Sequence, residues 1–372
     1  MLVASLAILG FCPGAGCLPP PDPEADGTAG IDPADFPGQH VAGEPNDTFD
    51  DPLLVIFDET GRARLEGTVA DVADVDLYDL GTLVPGDRII LDAGTPGSSL
   101  DAAVVLFDEA GRLIFENDDR NLPLGQFDPF LNAVLARETS TVFLAIAASP
   151  LAPSAGAYHV LVSVTREGAP PTGEEQTVAL DFDGGTVVIP GDEIYTVDVF
   201  DAADVASAYE GLTGIVREQI VATVRENYEG LALDVRVMPG DVLPSGCSFS
   251  TVLFGGRNRA AFGVSQDVDG RNENKCDDSI IFTETFRPSM FGRTLSATEL
   301  GSAIGNVASH EIGHLLGLNH VGNVTDLMDN TGGPNTFVAD QEFTASALDE
   351  SVFPLGLQDG WLLLLETLGA LP

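Results

Sequence analysis

Positive charge is nearly missing from this chain. Sixteen basic residues stand against 58 acidic ones, for a formal net charge of −42 over 372 residues, and Lys275 is the only lysine. A surface of that sign excludes nucleic acid as a partner, because phosphate contacts need basic side chains. Three origins of the acidity stay open: a salty habitat, carboxylates that load calcium, or the solubility of an exported protein. Long apolar runs are missing too. The stretch Leu2–Phe11 has the length of an export signal and is too short to span a bilayer. Cysteine is sparse: of four, Cys12 and Cys17 fall near the start, which leaves Cys247 and Cys276 for the mature chain. Histidine is equally rare, and three of the five fall within residues 310–320.

What is present is enough to fold. Hydrophobic residues make up 44% of the sequence, an ordinary globular content, and the length suits two or three domains with separate cores. Residues 1–17 read as an export signal, although no basic residue precedes the apolar run. Gly14-Ala15-Gly16-Cys17 resembles a bacterial lipoprotein cleavage box without its usual leucine, so two readings stand: Cys17 is lipidated and tethers the protein to a membrane, or a plain signal is cut nearby. Either places the protein outside the cell or on the surface of a bacterium. Residues 18–41, rich in Pro and Asp, then form a tether with little to bury.

Residues 42–166 show short apolar runs, such as Arg88-Ile89-Ile90-Leu91 and Val142-Phe143-Leu144-Ala145-Ile146, separated by Gly, Pro, Asp and Asn. That texture predicts an all-β sandwich. Glu44-Pro45-Asn46-Asp47-Thr48, Asp74-Val75-Asp76-Leu77-Tyr78, Phe107-Asp108-Glu109-Ala110-Gly111 and Asn117-Asp118-Asp119 follow in the order found in bacterial pre-peptidase C-terminal domains. The segment resembles that jelly-roll-like module of secreted peptidases, here placed ahead of the remaining chain instead of after it. Asp71/Asp74/Asp76 and Asn117/Asp118/Asp119 are read either as calcium ligands or as solvated turn residues.

Residues 167–176 are a Pro/Gly-rich linker, and the texture changes at 177. Thr177–Phe182 is strand-like, residues 203–228 predict one long helix with Val216, Ile220, Val224 and Tyr228 on one face, and Leu233/Val235/Val237 alternate as a strand. Ala261–Val264 and Ser279–Thr283 predict two further strands. Cys247 and Cys276 pair as a disulfide in an oxidising compartment, worth about 3–4 kcal/mol in the chain-entropy model, or remain separate thiols. Asp267–Asn274, between them, alternates oxygen donors around Gly270 without the spacing of an EF-hand: a calcium loop or an acidic turn. Ser296-Ala297-Thr298-Glu299 is a capping box, which predicts a helix from 297 to Gly317. A last helix is expected over Gln358–Glu366.

That penultimate helix carries the chemistry. Residues 310–320 read H-E-x-x-H-x-x-G-x-x-H. His310 and His314, one turn apart, project from one face, where two imidazoles can reach one Zn²⁺ at about 2.0–2.1 Å. Glu311 stands beside the first ligand as a proton acceptor, and Gly317 permits the reversal that brings His320 back as third ligand. Three protein ligands leave a position open, the mark of a catalytic zinc site. These residues resemble the zinc signature of the metzincin metalloproteases, and Asp326-Leu327-Met328-Asp329 offers Met328 for that family's Met-turn. The resemblance spans roughly residues 177–372 and implies an α+β zinc endopeptidase in which Glu311 is the general base and an edge strand, Ala261–Ser265 or Ser279–Thr283, aligns a peptide or protein substrate. Val321 and Asn330 match no particular subfamily, and Asn330 implies no tyrosine ligand. Two other readings stand beside it: an acidic, calcium-binding surface or adhesion protein with a vestigial protease domain, and a zinc hydrolase of some other bond.

Overall fold

The computed structural model describes residues 36, 39–41, 44–121, 124–166, 168–189 and 193–371. The export signal expected over 1–17, with Cys17, and residues 18–35 of the tether lie outside the described residues. The chain divides into two compact units, one running to Thr172 and including Leu348–Leu357, the other made of Gly173–Ala347 and Gln358–Pro372. The span 177–372 is therefore interrupted: Leu348–Leu357 groups with the first unit. The reason is apolar cover and backbone pairing, since buried Phe353 packs 6.0 Å from the Phe107 ring and Leu357 N–H donates to Gly111 O at 2.8 Å.

Among the described residues the first unit holds ten strands: β1 (Gln39–Val41), β2 (Leu53–Leu54), β3 (Arg62–Val69), β4 (Asp76–Asp79), β5 (Arg88–Gly94), β6 (Ala102–Phe107), β7 (Leu113–Asn117), β8 (Phe130–Val134), β9 (Phe143–Ala148) and β10 (Gly156–Thr165). They form two five-stranded sheets, β1-β3-β10-β5-β8 and β2-β4-β9-β6-β7. Strands β3, β5 and β8 alternate buried and half-buried positions, as a sheet with one wet face must. Leu65, Ile89, Leu91, Val160 and Val162 of one sheet and Val104, Leu106, Leu144 and Ile146 of the other share a single core. This is a β-sandwich.

The second unit is built on a mixed sheet of β11 (Gln176–Asp181), β14 (Leu233–Met238), β15 (Phe249–Phe254), β16 (Gly263–Ser265) and β17 (Asp278–Ile281), in the order β14-β11-β15-β17-β16. Every pairing is parallel except β16 against β17, so a short antiparallel strand forms one edge. A hairpin of β12 (Gly185–Ile189) and β13 (Glu193–Val197), unexpected from the sequence, packs Val187, Ile189 and Val197 on one face against Leu253, Ile280 and Phe282. The other face carries the helices.

The helix expected over 203–228 is broken. It begins as α1 (Ala202–Val205), passes through a short 3-10 turn at Ser207–Tyr209, and resumes as α2 (Thr213–Asn227). Ala206 is extended and Gly211 is left-handed at φ +75°, so the backbone cannot continue helically between them. Within α2 the expected face survives, with Val216, Ile220 and Val224 buried. After α3 (Pro288–Phe291) comes α4 (Ala297–Leu315). Its capping box is complete, with the Ser296 hydroxyl accepting from Glu299 N–H and the Glu299 carboxylate from Ser296 N–H at 2.8 Å. Leu300, Ile304 and Val307 bury α4 against Val252, Phe254 and Ile281 of the sheet and against α2. Helix α5 (Gly360–Leu368), capped by Asp359, closes the unit. No described helix is long and apolar enough to cross a membrane.

Candidate metal centre

Helix α4 brings His310, Glu311 and His314 into the interior near its C-terminal end, where all three are buried. The helix stops at Leu315, and Gly317 takes φ +90°. A Cβ at 317 would stand 2.8 Å from Asp269 O and 2.9 Å from Arg271 N, so both the left-handed turn and the close passage of the 267–274 loop require glycine. The chain then doubles back to His320. Gln358 pins this return, accepting from Asn319 N–H at 2.7 Å and donating to Asn319 O at 2.8 Å.

The three histidine Nε2 atoms converge in a nearly equilateral triangle, 3.1 Å for His310–His314, 3.2 Å for His310–His320 and 3.2 Å for His314–His320. The tautomers follow from the outer partners. His310 Nδ1 lies 2.7 Å from Leu327 O and His314 Nδ1 lies 2.7 Å from Leu318 O. A carbonyl only accepts, so in both rings the proton is on Nδ1 and the Nε2 lone pair faces inward. Burial holds His310 below its ordinary pKa, and His314 is held well below by burial and by His320 and His310. Neutral imidazoles with facing lone pairs repel unless a cation lies among them. A tetrahedral site with metal–nitrogen bonds of about 2.0–2.1 Å has ligand–ligand edges of about 3.3–3.4 Å. The triangle fits one face of it, and an all-imidazole donor set suits zinc.

Glu311 is fully buried. The Ser265 hydroxyl donates to its Oε2 at 2.7 Å, whereas Oε1 has no hydrogen-bond partner. Burial pushes the carboxyl up to about 8, against the opposing effect of the Ser265 hydrogen bond. Ser265 and Gly263 belong to β16 and face α4. The structure thus makes Gly263–Ser265 the sheet edge beside Glu311, while β17, with Ser279–Ile281, is enclosed between β15 and β16.

Met328 packs against α4 at Gly313, the residue before His314. It is fully buried, and a Cβ on Gly313 would meet its Sδ at 2.6 Å, so the sulfur occupies the gap left on the helix between the two ligand turns. Asp326 organises this turn. Its buried carboxylate accepts from Met328 N–H (2.9 Å), Thr344 N–H (3.1 Å), Thr344 Oγ1 (2.6 Å) and Ser346 Oγ (2.9 Å). Leu327, whose carbonyl holds His310, sits between Asp326 and Met328. The parts played by Gly263, Ser265, Gly313, Asp326 and Gln358 do not follow from the sequence, where 261–265 reads only as a candidate edge strand, Asp326 as part of the Met328 stretch and Gln358 as the start of a helix.

Cys247 and Cys276 form the disulfide, with Cα atoms 5.2 Å apart. The neighbouring acidic loop gathers its own backbone: Asp269 accepts from Glu273 N–H at 3.0 Å and Asn274 N–H at 2.8 Å, while burial raises its carboxyl to about 7. Among the described residues, the groups of three or more His, Cys, Asp or Glu close enough to share an ion are the histidine triad and an exposed set, Glu44/Asp47/Asp74. Of Asp71, Asp74 and Asp76 only Asp74 belongs to such a set, and nothing in the structure supports calcium there or at Asn117/Asp118/Asp119.

No protein-family model matches the chain, and no curated protein matches it. Solved structures are similar to parts of it. The pre-peptidase C-terminal domain of a collagenase from Bacillus anthracis is 11% identical, with 33% of this chain and 99% of that chain covered and a TM-score of 0.24. A zinc-dependent peptidase from Methanocorpusculum labreanum is 13% identical, over 44% of this chain and 93% of that chain, at a TM-score of 0.25. A Yersinia pseudotuberculosis mitogen is 12% identical over 28% and 87%, at 0.21. Likenesses this slight speak to neither chemistry nor substrate.

Proposed function

We propose that this chain is an exported or surface-tethered zinc endopeptidase of metzincin type. One observation carries the reading: three inward-facing imidazole Nε2 atoms 3.1–3.2 Å apart gather at the end of a helix on which the residue after His310, Glu311, holds a buried carboxylate with one oxygen unpartnered. His310, His314 and His320 would hold Zn²⁺. Bound there, the ion supplies Lewis acidity, which acidifies water and polarises a carbonyl. Glu311 Oε1 takes the proton of the attacking water as the C–O bond forms at the scissile carbonyl carbon. The same carboxyl then delivers that proton to the amine nitrogen as the C–N bond breaks. The outer side of β16 offers backbone donors and acceptors on which an extended peptide lies as an added strand. The export signal expected over residues 1–17 would place that site outside the cell.

Glu311→Gln tests this directly. Zinc content should stay at one per chain while casein cleavage falls to background. A wild-type protein that holds no zinc and cleaves nothing would refute the reading in favour of a binding module. Zinc bound without turnover of any peptide library would favour a hydrolase of another bond.

A further inference from the structure

Strand β16 treats the two oxygens of the Glu311 carboxylate differently. Positions 263 and 265, two apart on one strand, face α4 together. At 263 there is no side chain: a Cβ would stand 2.5 Å from Glu311 Oε1 and 2.7 Å from its Cγ, so the carboxylate occupies the space that glycine leaves. At 265 there is a hydroxyl, 2.7 Å from Oε2 and 2.9 Å from the Glu311 backbone O. Ser265 is itself 8% exposed, and Glu311 is fully buried. Oε1 is left without a partner. A carboxylate turns about a broad terminal torsion, so without an anchor its plane would wander over a wide arc. One short hydrogen bond at Oε2 fixes the plane and so the direction in which Oε1 presents its lone pairs.

We propose that Ser265 is a positioning residue for the general base, dividing the Glu311 carboxylate into an anchored oxygen, Oε2, and a working oxygen, Oε1. This rests on the peptidase reading for the meaning of "working" but not for the geometry. The Ser265 hydroxyl points to α4 and touches no substrate; only the backbone of β16 would meet the peptide, and that backbone is the same in the variants. The effect of the hydroxyl passes wholly through Glu311, so it should alter the chemical step and leave substrate and metal binding alone.

The test compares wild type, Ser265→Ala, Ser265→Thr and Ser265→Cys in the zinc-loaded full chain. Metal content, kcat and KM on a fluorogenic peptide, and the affinity for acetohydroxamate by calorimetry are measured. A hydroxamate chelates a metal through two oxygens and gives its proton to an adjacent carboxylate, so it reports the base without turnover. Loss of the hydroxyl in Ser265→Ala should lower kcat by roughly 10- to 100-fold and weaken acetohydroxamate, with KM and zinc content unchanged. Ser265→Thr, which keeps the hydroxyl, should recover most of both. Wild-type kcat and wild-type hydroxamate affinity in zinc-replete Ser265→Ala would overturn the proposal. Should the alanine variant not fold, Ser265→Cys decides, because a thiol fills the site but donates weakly: an unchanged kcat there overturns it. If the wild type binds zinc yet cleaves no peptide, the peptidase reading falls separately. Equal hydroxamate affinities in wild type and Ser265→Ala then reject the role of Ser265 by themselves.

Discussion

Asp326 never touches the histidines, yet its replacement by alanine should be among the most damaging single changes in the second unit. Four donors converge on its carboxylate, which is 1% exposed: two backbone N–H groups, of Met328 and Thr344, and the hydroxyls of Thr344 and Ser346. The hydroxyls lie 2.9 Å apart and can pair with each other once the carboxylate is gone. The two N–H groups have no such recourse, and each orphaned buried donor costs about 1–3 kcal/mol. With the void left by the side chain, Asp326→Ala should destabilise by about 3–5 kcal/mol. The damage has a direction. The turn that Asp326 closes carries Leu327 O, which fixes the tautomer and tilt of His310, and Met328, which packs under Gly313. Zinc affinity should therefore fall by roughly 10- to 100-fold, the usual effect of losing a group that orients a ligand. Urea unfolding followed by the fluorescence of Trp361, with and without chelator, gives the first quantity, and competition with a zinc dye gives the second. Stability within about 1 kcal/mol of wild type, together with unchanged zinc affinity, would refute the reasoning, since no rearrangement of the hydroxyls can satisfy both amides.

Two further outcomes are expected. Gly317→Ala meets a backbone at φ +90° and a contact 2.8 Å from Asp269 O, so it should cost about 1–3 kcal/mol and reduce zinc retention by displacing His320; full retention at unchanged thermal stability would show that the turn is not strained by a side chain. Asp277 is buried with one oxygen on the Ser250 hydroxyl, and burial raises its carboxyl from the ordinary 3.8 to about 8. A raised acid favours folding in its protonated form, so its contribution is present at low pH and is lost as pH climbs from about 4 to about 8. Asp277→Asn should remove that loss, making the variant's stability flatter than wild type across pH 5–8 in denaturant titrations; parallel curves would contradict it.

Much of the histidine cluster was legible in the linear chain because its members are local. His310, Glu311, Gly317 and His320 lie within one helix and the turn that ends it, where spacing alone sets which face a side chain shares. The capping box at Ser296 and Glu299 marked the start of that helix for the same reason. Interruptions set by the backbone were harder to see. The apolar face of Val216, Ile220 and Val224 is real, but nothing in its period revealed that Ala206 and Gly211 break the helix ahead of it. The hairpin Gly185–Val197 escaped because its strands are short and half-exposed.

By itself the sequence determined which residues could ligate a metal, which carboxylate followed the first of them, where their helix began, and that two cysteines were available to pair on either side of an acidic loop. Those features rest on neighbours a few residues apart. Only the tertiary structure decided that Gly263–Ser265 is the sheet edge against Glu311, that Ser265 holds Oε2, that Asp326 and Gln358 secure the chain around Met328 and His320, and that Leu348–Leu357 leaves the second unit for the first. Each is a contact between segments that parity and helical spacing cannot bring together, because register and strand order are settled by packing across the whole sheet.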